Sequence, residues 1–591
     1  MNHLSFSKTF QFLFLLSFIL KTEIIFPEEE KYHWPVQGEK MITGSFGEFR
    51  AYYFHLGLDL ATEGKIGIPI LAMTDSKLFR VQSLRYSIGN AILLKQKDGI
   101  VARYGHMSRF SDKIVNSLKP EFQTKIIYRE DFEYNIPEVE AIEIKKGEVI
   151  GYSGDTGIGP AHLHVELMKD GYYINTASKL DIPELGTRIE VGALEVIPED
   201  NQSFINGKNH LYKIPLARDG NNFSTNPIHL KGTMSFRLNA TEATGRGNRI
   251  GFQRLSISLN QKLLQEFSFD FIQTNEVNRS CFILDNYRSN MSGRPFRYYF
   301  HNRMENALEN FKVKAKNSGL INDKMLSDKE NIVSLEVQGL GGKLVVFKIP
   351  VIRDTKEYLE KSNNIEKSPN ISPNVELRIG TEDGLASVSF DKESVFSEEQ
   401  FSFFKSKESE IDEEGMIPIT PIYSIKPVYL EFNKGFDLTI QISDPKLLVW
   451  GKLGLYMITE RGKIIRHISQ ATQSKTLFYT KSKLTGNFII LSDQSAPKIS
   501  IVKYKENHRF PNSNFRIFLK VKDIGTGVPD SQFKAKIDDL DAKLDHDPEK
   551  GTFEIFYPEI IYTKGKHKIT ATATDRVGNV SEQFQFNYTV D

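Results

Sequence analysis

Apolar and polar residues alternate with a period of two along several long segments of this chain. In three of them the apolar positions are Leu255, Ile257 and Leu259; Val333, Leu335 and Val337; and Phe436, Leu438, Ile440 and Ile442. Successive side chains on a strand face opposite sides, so this pattern places one face on a core and the other in water. A surface helix would need a period of 3.6 residues. From about residue 185 onward, the sequence therefore predicts β-sandwiches.

The length of the chain calls for several such units. At 591 residues it is too long for one hydrophobic core. We predict three sandwich modules, at 185–355, 374–494 and 497–591. The stretch 356–373 is polar and holds two prolines, which is typical of a linker, and Ser495-Ala-Pro497 marks the second boundary.

The last predicted module has two distinctive segments, 521–528 and 567–579. Both resemble the bacterial immunoglobulin-like repeats found on exported proteins, and they carry Asp523 and Asp575 close to glycines. Aspartate and glycine are common turn residues, so we favour turn chemistry for these two aspartates. A calcium ion bound between modules is the alternative interpretation.

The first third of the chain has a different texture. From Trp34 to Tyr173, short apolar runs at 68–72, 91–94 and 148–152 lie between glycine-rich turns. Runs of this length, bounded by glycine and by Asp98-Gly99, indicate strands and hairpins. We therefore predict a compact antiparallel β domain over 31–180 and an all-β fold for the chain.

The N-terminus indicates export. Lys8 precedes an apolar run from Phe10 to Leu20, which is too short to span a bilayer but matches the core of a signal peptide. We interpret residues 1–30 as a signal peptide or an N-terminal anchor, with a buried helix as the alternative. No later segment is apolar for long enough to cross a membrane. The 76 basic and 75 acidic residues nearly cancel, which leaves no electrostatic footprint for nucleic acid.

Histidines in the first domain occur in three short patterns. These are His55-Leu-Gly-Leu-Asp59, Tyr104-Gly-His106 and His162-Leu-His164. Positions i and i+2 of a strand face the same side, so His162 and His164 point into one space. A catalytic zinc needs three protein ligands and one open position. His55, Asp59 and one histidine of the 162/164 pair supply those ligands for one Zn²⁺. Two histidines are then left over for a general base and for stabilising an oxyanion.

The order of motifs in this domain resembles that of the lysostaphin/LytM-type zinc metallopeptidases, which cut peptide bridges in bacterial cell walls. The matching segments are Ile42-Thr-Gly-Ser-Phe-Gly47, His55-x-Gly-x-Asp59, Gly67-Ile-Pro-Ile-Leu-Ala72, Gly89-Asn90, Tyr104-Gly-His106, Lys146-Gly-Glu-Val-Ile-Gly151, Gly154-Asp-Thr-Gly157 and Gly159-Pro-Ala-His-Leu-His-Val-Glu166. The resemblance covers about a quarter of the chain.

The resemblance implies a role for each of the five residues. His55, Asp59 and His164 would be the zinc ligands, and His106 and His162 the catalytic histidines. It also implies metal-assisted hydrolysis of peptidoglycan peptides by a protein exported to the periplasm, cell envelope or exterior of a bacterium. The alternative is a catalytically silent regulatory or scaffold protein that uses the same fold to bind cell-wall partners.

One departure from the family pattern is an insertion at 109–144, between the Tyr-Gly-His strand and the Lys-Gly segment. It holds acidic and aromatic residues such as Asp131, Phe132 and Tyr134. The insertion is either a wall or lid of the substrate groove, or a surface decoration without a catalytic role.

Overall fold

A computed structural model describes residues 31–591, with gaps at 51–52, 184–186, 201, 245–246, 287–288, 290–295, 359–369, 407–410, 429 and 549. The predicted signal segment, the start of the first predicted sandwich module and most of the predicted linker fall outside the described residues. The regular structure of the described chain consists mainly of β-strands arranged in antiparallel sheets. The predicted all-β class is therefore confirmed. No helix among the described residues is long and apolar enough to cross a membrane.

The first domain contains strands β1 to β14 and two short helices within the insertion. The strands are Ile42–Gly44, Phe49–Arg50, Tyr53–Phe54, Leu58–Ala61, Pro69–Leu71, Ser76–Leu84, Gly89–Gln96, Val101–Gly105, Met107–Phe110, Phe132–Asn135, Glu143–Ile144, Val149–Ser153, His162–Lys169 and Tyr172–Ile174. The helices are α1, Asp112–Ser117, and α2, Pro120–Ile127.

The main sheet of this domain has the order β1-β4-β13-β8-β7-β6-β10, and β5-β12-β9 form a second, smaller sheet. Strand β13 lies between β4 and β8, with His164 opposite Asp59 on one side and Gly105 on the other. The runs predicted at 68–72, 91–94 and 148–152 supply β5, β7 and β12. Apolar side chains from both sheets form one core, which includes Leu58, Ile92 and Val165.

The next unit contains β15 to β29. These are Arg188–Pro198, Phe204–Ile205, Tyr212–Ile214, Ala217–Asp219, Asn222–Ser224, Ile228–Lys231, Thr233–Ala243, Arg249–Ile250, Arg254–Leu259, Lys262–Ser268, Phe271–Gln273, Phe296–Tyr299, Ile321–Asn322, Asn331–Gln338 and Leu344–Arg353. All of them except β25 form two sheets, built around β21 and β28. In β28 the alternation is visible directly, because every second residue is buried.

The third unit contains β30 to β42. These are Asn370–Ile371, Leu377–Gly380, Ala386–Phe390, Glu399–Gln400, Ser402–Lys405, Met416–Pro418, Tyr423–Lys426, Phe436–Gln441, Leu453–Ile458, Ile464–His467, Thr472–Ser474, Leu477–Ser482 and Asn487–Asp493. Its two main sheets have the orders β31-β32-β37-β41-β40 and β34-β36-β42-β38-β39.

The fourth unit contains β43 to β51. These are Lys498–Ile501, His508–Phe510, Ile517–Lys522, Phe533–Ile537, Leu540–Asp541, Lys543–Asp547, Thr552–Phe556, Gly565–Ala573 and Phe584–Val590. Sheets β43-β45-β49-β48 and β44-β51-β50-β46-β47 enclose a core of its own.

The second unit is joined to the first domain by shared structure. Its strand β25 pairs with β14 and thereby extends the main sheet of the first domain. Phe46, Phe49 and Phe54 lie in the core of the second unit although they precede β4 in sequence. The Ser45 hydroxyl accepts a hydrogen bond from the Gly251 amide at 2.8 Å. Residues 45–49 and Phe54, which precede His55, are therefore packed against the second unit.

The fourth unit folds back onto the insertion of the first domain. Arg129, which follows α2, donates to Glu554 at 2.8 Å, and Tyr128 donates to Glu559. Arg516 donates to both carboxylate oxygens of Asp155, at 3.0 and 2.8 Å. Strands β10 and β11 of the insertion pair with β6, at the edge of the main sheet. The insertion thus extends this sheet and contacts the last unit.

Candidate metal centre

Two neighbouring strands and the loop before one of them bring the predicted ligand residues together. His55 precedes β4, Asp59 lies on β4 and His164 lies on β13. His55 Nε2 lies 3.1 Å from Asp59 Oδ1 and 3.1 Å from His164 Nδ1, and the last two atoms are 2.8 Å apart. All three residues are buried. Their donor atoms are close enough to share one ion with bonds of about 2.0–2.2 Å.

The two remaining histidines lie against this group. The rings of His106 and His162 have centroids 4.5 Å apart, and His162 Nε2 lies 3.5 Å from Asp59 Oδ1. His106, His162 and His164 also form a group whose ligand atoms lie within 4.8 Å of one another. The structure therefore assembles all five residues singled out in the sequence at one place.

Each of the four imidazoles has one nitrogen engaged away from the centre. The Nδ1–H groups of His55, His106 and His162 donate to the carbonyl oxygens of residues 45, 156 and 160, at 2.7, 2.8 and 2.7 Å. His164 Nε2–H donates to Glu166 at 2.9 Å. These bonds orient each ring so that its other nitrogen, Nε2 of His55, His106 and His162 and Nδ1 of His164, is left for the centre.

The carboxylate of Asp59 is oriented in the same way. Arg50 donates to its Oδ2 at 2.7 Å, while Oδ1 faces His55 and His164. Burial opposes ionisation, but the electrostatic interaction with His55 and His162, together with hydrogen bonds from His162 and His164, outweighs it and holds the pKa of Asp59 well below its ordinary value. Asp59 is therefore ionised and has one oxygen free for a ligand bond.

The protonation of the histidines is set by their surroundings. Burial, together with repulsion from His162 and His164, lowers the pKa of His106 to about 3. For His164 burial acts in the same direction, but hydrogen bonds to Asp59 and Glu166 prevail and raise its pKa to about 9. His106 therefore stays neutral across the physiological range of pH.

The backbone of His106 is unusual. Its φ is 60°, in the left-handed region, directly after β8 ends at Gly105. A side chain other than glycine costs roughly 1–2 kcal/mol in this region. The His106 amide donates to the Ile88 carbonyl at 2.9 Å, which holds the turn. The strained turn directs the ring toward the other histidines.

Several supporting residues were not singled out as functional in the sequence. Glu166 follows His164 at i+2 on the same face of β13, a periodicity that was readable in advance. Gly57 is a second case, because a Cβ there would lie 2.6 Å from His164 Nε2. No sequence pattern around Arg50 indicated a functional role, because its contact with Asp59 depends on the path of the β2–β3 hairpin.

Tyr104 does not enter the site. Its ring is buried and its hydroxyl accepts a hydrogen bond from the Met73 amide at 2.9 Å. It is thus a packed hairpin residue of the core.

The all-β first domain is of the class of lysostaphin/LytM-type peptidase domains. Sequence comparison confirms the predicted resemblance for the first domain. This chain is 29% identical over 125 residues to the glycyl-glycine endopeptidase ALE-1 of Staphylococcus capitis. The match covers 21% of this chain and 27% of that protein.

Other relatives match the same part of the chain. It is 29% identical over 134 residues to the DD-carboxypeptidase/endopeptidase Mpg of Neisseria meningitidis serogroup B, covering 22% of this chain and 24% of that protein. The chain thus spans about a quarter of the length of these curated relatives. A variant of the catalytic domain of the prophage-encoded M23 protein EnpA from Enterococcus faecalis is 27% identical, covering 24% of this chain and 92% of that one, with a TM-score of 0.18. No family model matches the chain.

Proposed function

We propose that this chain is an exported, zinc-dependent endopeptidase that hydrolyses peptide cross-links or stem peptides of bacterial peptidoglycan. The observation that carries the proposal is the convergence of one ring nitrogen each from His55, His162 and His164 within 3.5 Å of Asp59 Oδ1, with the His106 ring packed against His162. A buried arrangement of this kind is costly unless the groups bind a metal or take part in chemistry.

The donor set fits one zinc ion per chain. His55 Nε2, Asp59 Oδ1 and His164 Nδ1 would hold it, because two imidazoles and a carboxylate leave one position open, as in catalytic zinc sites. When bound, zinc would supply Lewis acidity toward the substrate carbonyl and the attacking water. A zinc-binding histidine normally donates its other ring N–H to a carboxylate or a carbonyl group. Glu166 accepts this hydrogen bond from His164.

His106 and His162 would carry out the proton transfers. One of them takes the proton of the attacking water, and the other donates a hydrogen bond to the tetrahedral oxyanion. The proton then passes to the leaving amine. Because its pKa is lowered to about 3, His106 enters the reaction neutral and able to accept a hydrogen bond.

The substrate class and location follow from the relatives. ALE-1 is named as a glycyl-glycine endopeptidase and Mpg as a DD-carboxypeptidase/endopeptidase. Together with the apolar N-terminal run, these names support a protein of the bacterial envelope or exterior. The balanced charge supports peptides rather than nucleic acid as the partner. A catalytically silent scaffold would not need all five residues intact, and all five are present and in contact.

The decisive experiment is digestion of purified peptidoglycan sacculi with the full-length protein, with the released fragments identified by mass. We expect fragments that result from cleavage of peptide bonds. Metal analysis of the purified protein should find about one zinc per chain. Intact sacculi after incubation with zinc-loaded protein would refute the proposed activity, and protein without zinc at neutral pH would refute the cofactor.

The assignment of His162 to catalysis can be tested separately from metal binding. His162→Ala should keep its zinc and lose roughly 10²–10⁴-fold in hydrolysis, the usual contribution of general acid–base catalysis. His33→Ala is the matched control, because His33 is exposed in the same domain and should leave activity unchanged. Wild-type rates in His162→Ala would overturn this role.

A further inference from the structure

A second cluster of possible metal ligands lies between the third and fourth units. Asp493 ends strand β42 of the third unit, while Asp523 and Asp575 closely follow strands β45 and β50 of the fourth. One carboxylate oxygen from each lies within 4.8 Å of the other two. Asp493 and Asp575 are buried and Asp523 is half-buried. Three carboxylates from two units therefore converge in a largely dry space.

The charge of this cluster is not balanced by neighbouring cations. Among the described residues, no lysine, arginine or histidine forms an ion pair with any of the three carboxylates. The nearby Lys452 donates instead to the Asn579 side-chain oxygen, and Arg576 donates to the Thr526 carbonyl. Buried carboxylates are normally paired or bound to a metal, because an isolated charge is costly to bury.

Turn hydrogen bonds account for part of this arrangement. The carboxylates of Asp493 and Asp575 accept backbone N–H groups of residues 495, 526, 577 and 579. Asp523 Oδ2 accepts the Gly527 amide at 2.6 Å, but Asp523 Oδ1 is buried without a partner. Turn chemistry therefore leaves the convergence of the three charges unexplained.

Two buried hydroxyl groups at the cluster also lack partners. Tyr456 is 0% exposed and Thr526 is 2% exposed, and neither hydroxyl has a hydrogen-bond partner. The Tyr456 hydroxyl faces the Asp493 carboxylate and lies close to those of Asp523 and Asp575. Thr526 is held beside Asp493 by its amide bond at 2.8 Å. Buried polar groups are rarely left unpaired, so these two mark positions that water bound to an ion would fill.

We propose that Asp493, Asp523 and Asp575 bind a divalent cation of the calcium class at the junction of the third and fourth units. All the available donors are oxygens, which suit calcium and do not suit zinc or copper. Three carboxylates supply three or more of the six to eight oxygens that calcium takes, and backbone carbonyls and water supply the rest.

Cation binding would fix the fourth unit relative to the third. Ligands from both units would share one ion, and their mutual repulsion would become attraction. The fourth unit also contacts the first domain, through Arg516 with Asp155 and Arg129 with Glu554. The ion would therefore hold in place the unit that packs beside the peptidase domain.

The test is calcium binding by the full-length protein after treatment with a calcium-selective chelator. Calorimetric titration with CaCl₂ should show one site per chain that saturates at or below about 1 mM, the range of extracellular calcium modules. MgCl₂ is titrated in parallel. Weaker binding of Mg²⁺ is expected, and tighter binding of Mg²⁺ than of Ca²⁺ would overturn the assignment to calcium.

Matched variants locate the site. Asp523→Asn keeps the side-chain shape and should weaken calcium binding at least 10-fold, whereas Asp541→Asn, at an exposed aspartate of the same unit, should leave it unchanged. His55→Ala removes a proposed zinc ligand and should also leave it unchanged. Circular dichroism checks that each variant is folded. Absence of calcium binding by folded wild-type protein, or unchanged binding in Asp523→Asn, would refute the proposal.

Discussion

Replacing Gly57 by alanine should damage the metal centre without touching any ligand. Gly57 lies between His55 and Asp59 in the loop that leads into β4. A Cβ at this position would stand 2.6 Å from His164 Nε2 and 2.5 Å from the Val165 carbonyl oxygen. Contacts this short do not occur in folded proteins, so either the ring or strand β13 must move.

The size of the movement follows from these distances. The contact with His164 Nε2 falls about 0.8 Å short of the 3.4 Å at which ordinary contact begins. Moving the ring by that amount disturbs its 2.9 Å hydrogen bond to Glu166 and carries Nδ1 away from His55 and Asp59. Overpacking typically costs about 1–3 kcal/mol. If half of this cost, about 0.5–1.5 kcal/mol, appears in the metal-bound state, zinc affinity falls about 2- to 13-fold.

The assay is competition for zinc between the protein and a chromophoric chelator, with peptide hydrolysis measured in the same samples. Gly341→Ala is the control, because a Cβ there would meet its nearest neighbour at 3.9 Å and the substitution should be neutral. Circular dichroism shows whether Gly57→Ala is folded. Wild-type zinc affinity and activity in folded Gly57→Ala would show that the close approach of Gly57 to His164 is not what positions the ligand.

Three further predictions concern the surroundings of the site. Arg50→Met removes the partner of Asp59 Oδ2 and should lower zinc affinity about 10-fold in the chelator assay, and an unchanged affinity would contradict this role. Arg516→Met and Asp155→Asn should each speed hydrogen exchange in the loop at 154–157 about fivefold, which corresponds to about 1 kcal/mol, and the double variant should show no further increase. Burial lowers the pKa of His301 to about 3 from 6.5, so the unfolded chain binds more protons between these values. The free energy of unfolding should therefore decrease as the pH is lowered below about 6.5, by up to about 1.4 kcal/mol per pH unit. In urea unfolding, His301→Gln should reduce this dependence on pH.

Local periodicity made much of the candidate site predictable. His162 and His164 alternate with apolar residues, so their position on one face of β13 could be read from the sequence, and Glu166 extends the same pattern. The His-x-Gly-x-Asp motif placed His55 and Asp59 close together. The strands at 255–259, 333–338 and 436–441 follow the same rule, because one buried face and one wet face leave a period of two in any sequence.

Contacts between distant parts of the chain could not be read in this way. The Ser45 carbonyl orients His55, and Ser45 itself is packed against the second unit. No sequence pattern near Ser45 predicts this packing. The meeting of Arg516 with Asp155 joins residues far apart in sequence. Asp493 was likewise not associated with Asp523 and Asp575, because the junction of two units brings them together.

The sequence by itself therefore determined the all-β class, the family resemblance of the first domain and the five residues of its candidate site. These features depend on residue types at short spacing, which the strand geometry converts directly into shared faces. Only the tertiary structure decided which nitrogen of each histidine faces the centre, how the left-handed turn at His106 aims its ring, and how the later units pack around the first domain. Those outcomes depend on the paths of loops and on packing between units. Neither leaves a local pattern in the sequence from which it could be predicted.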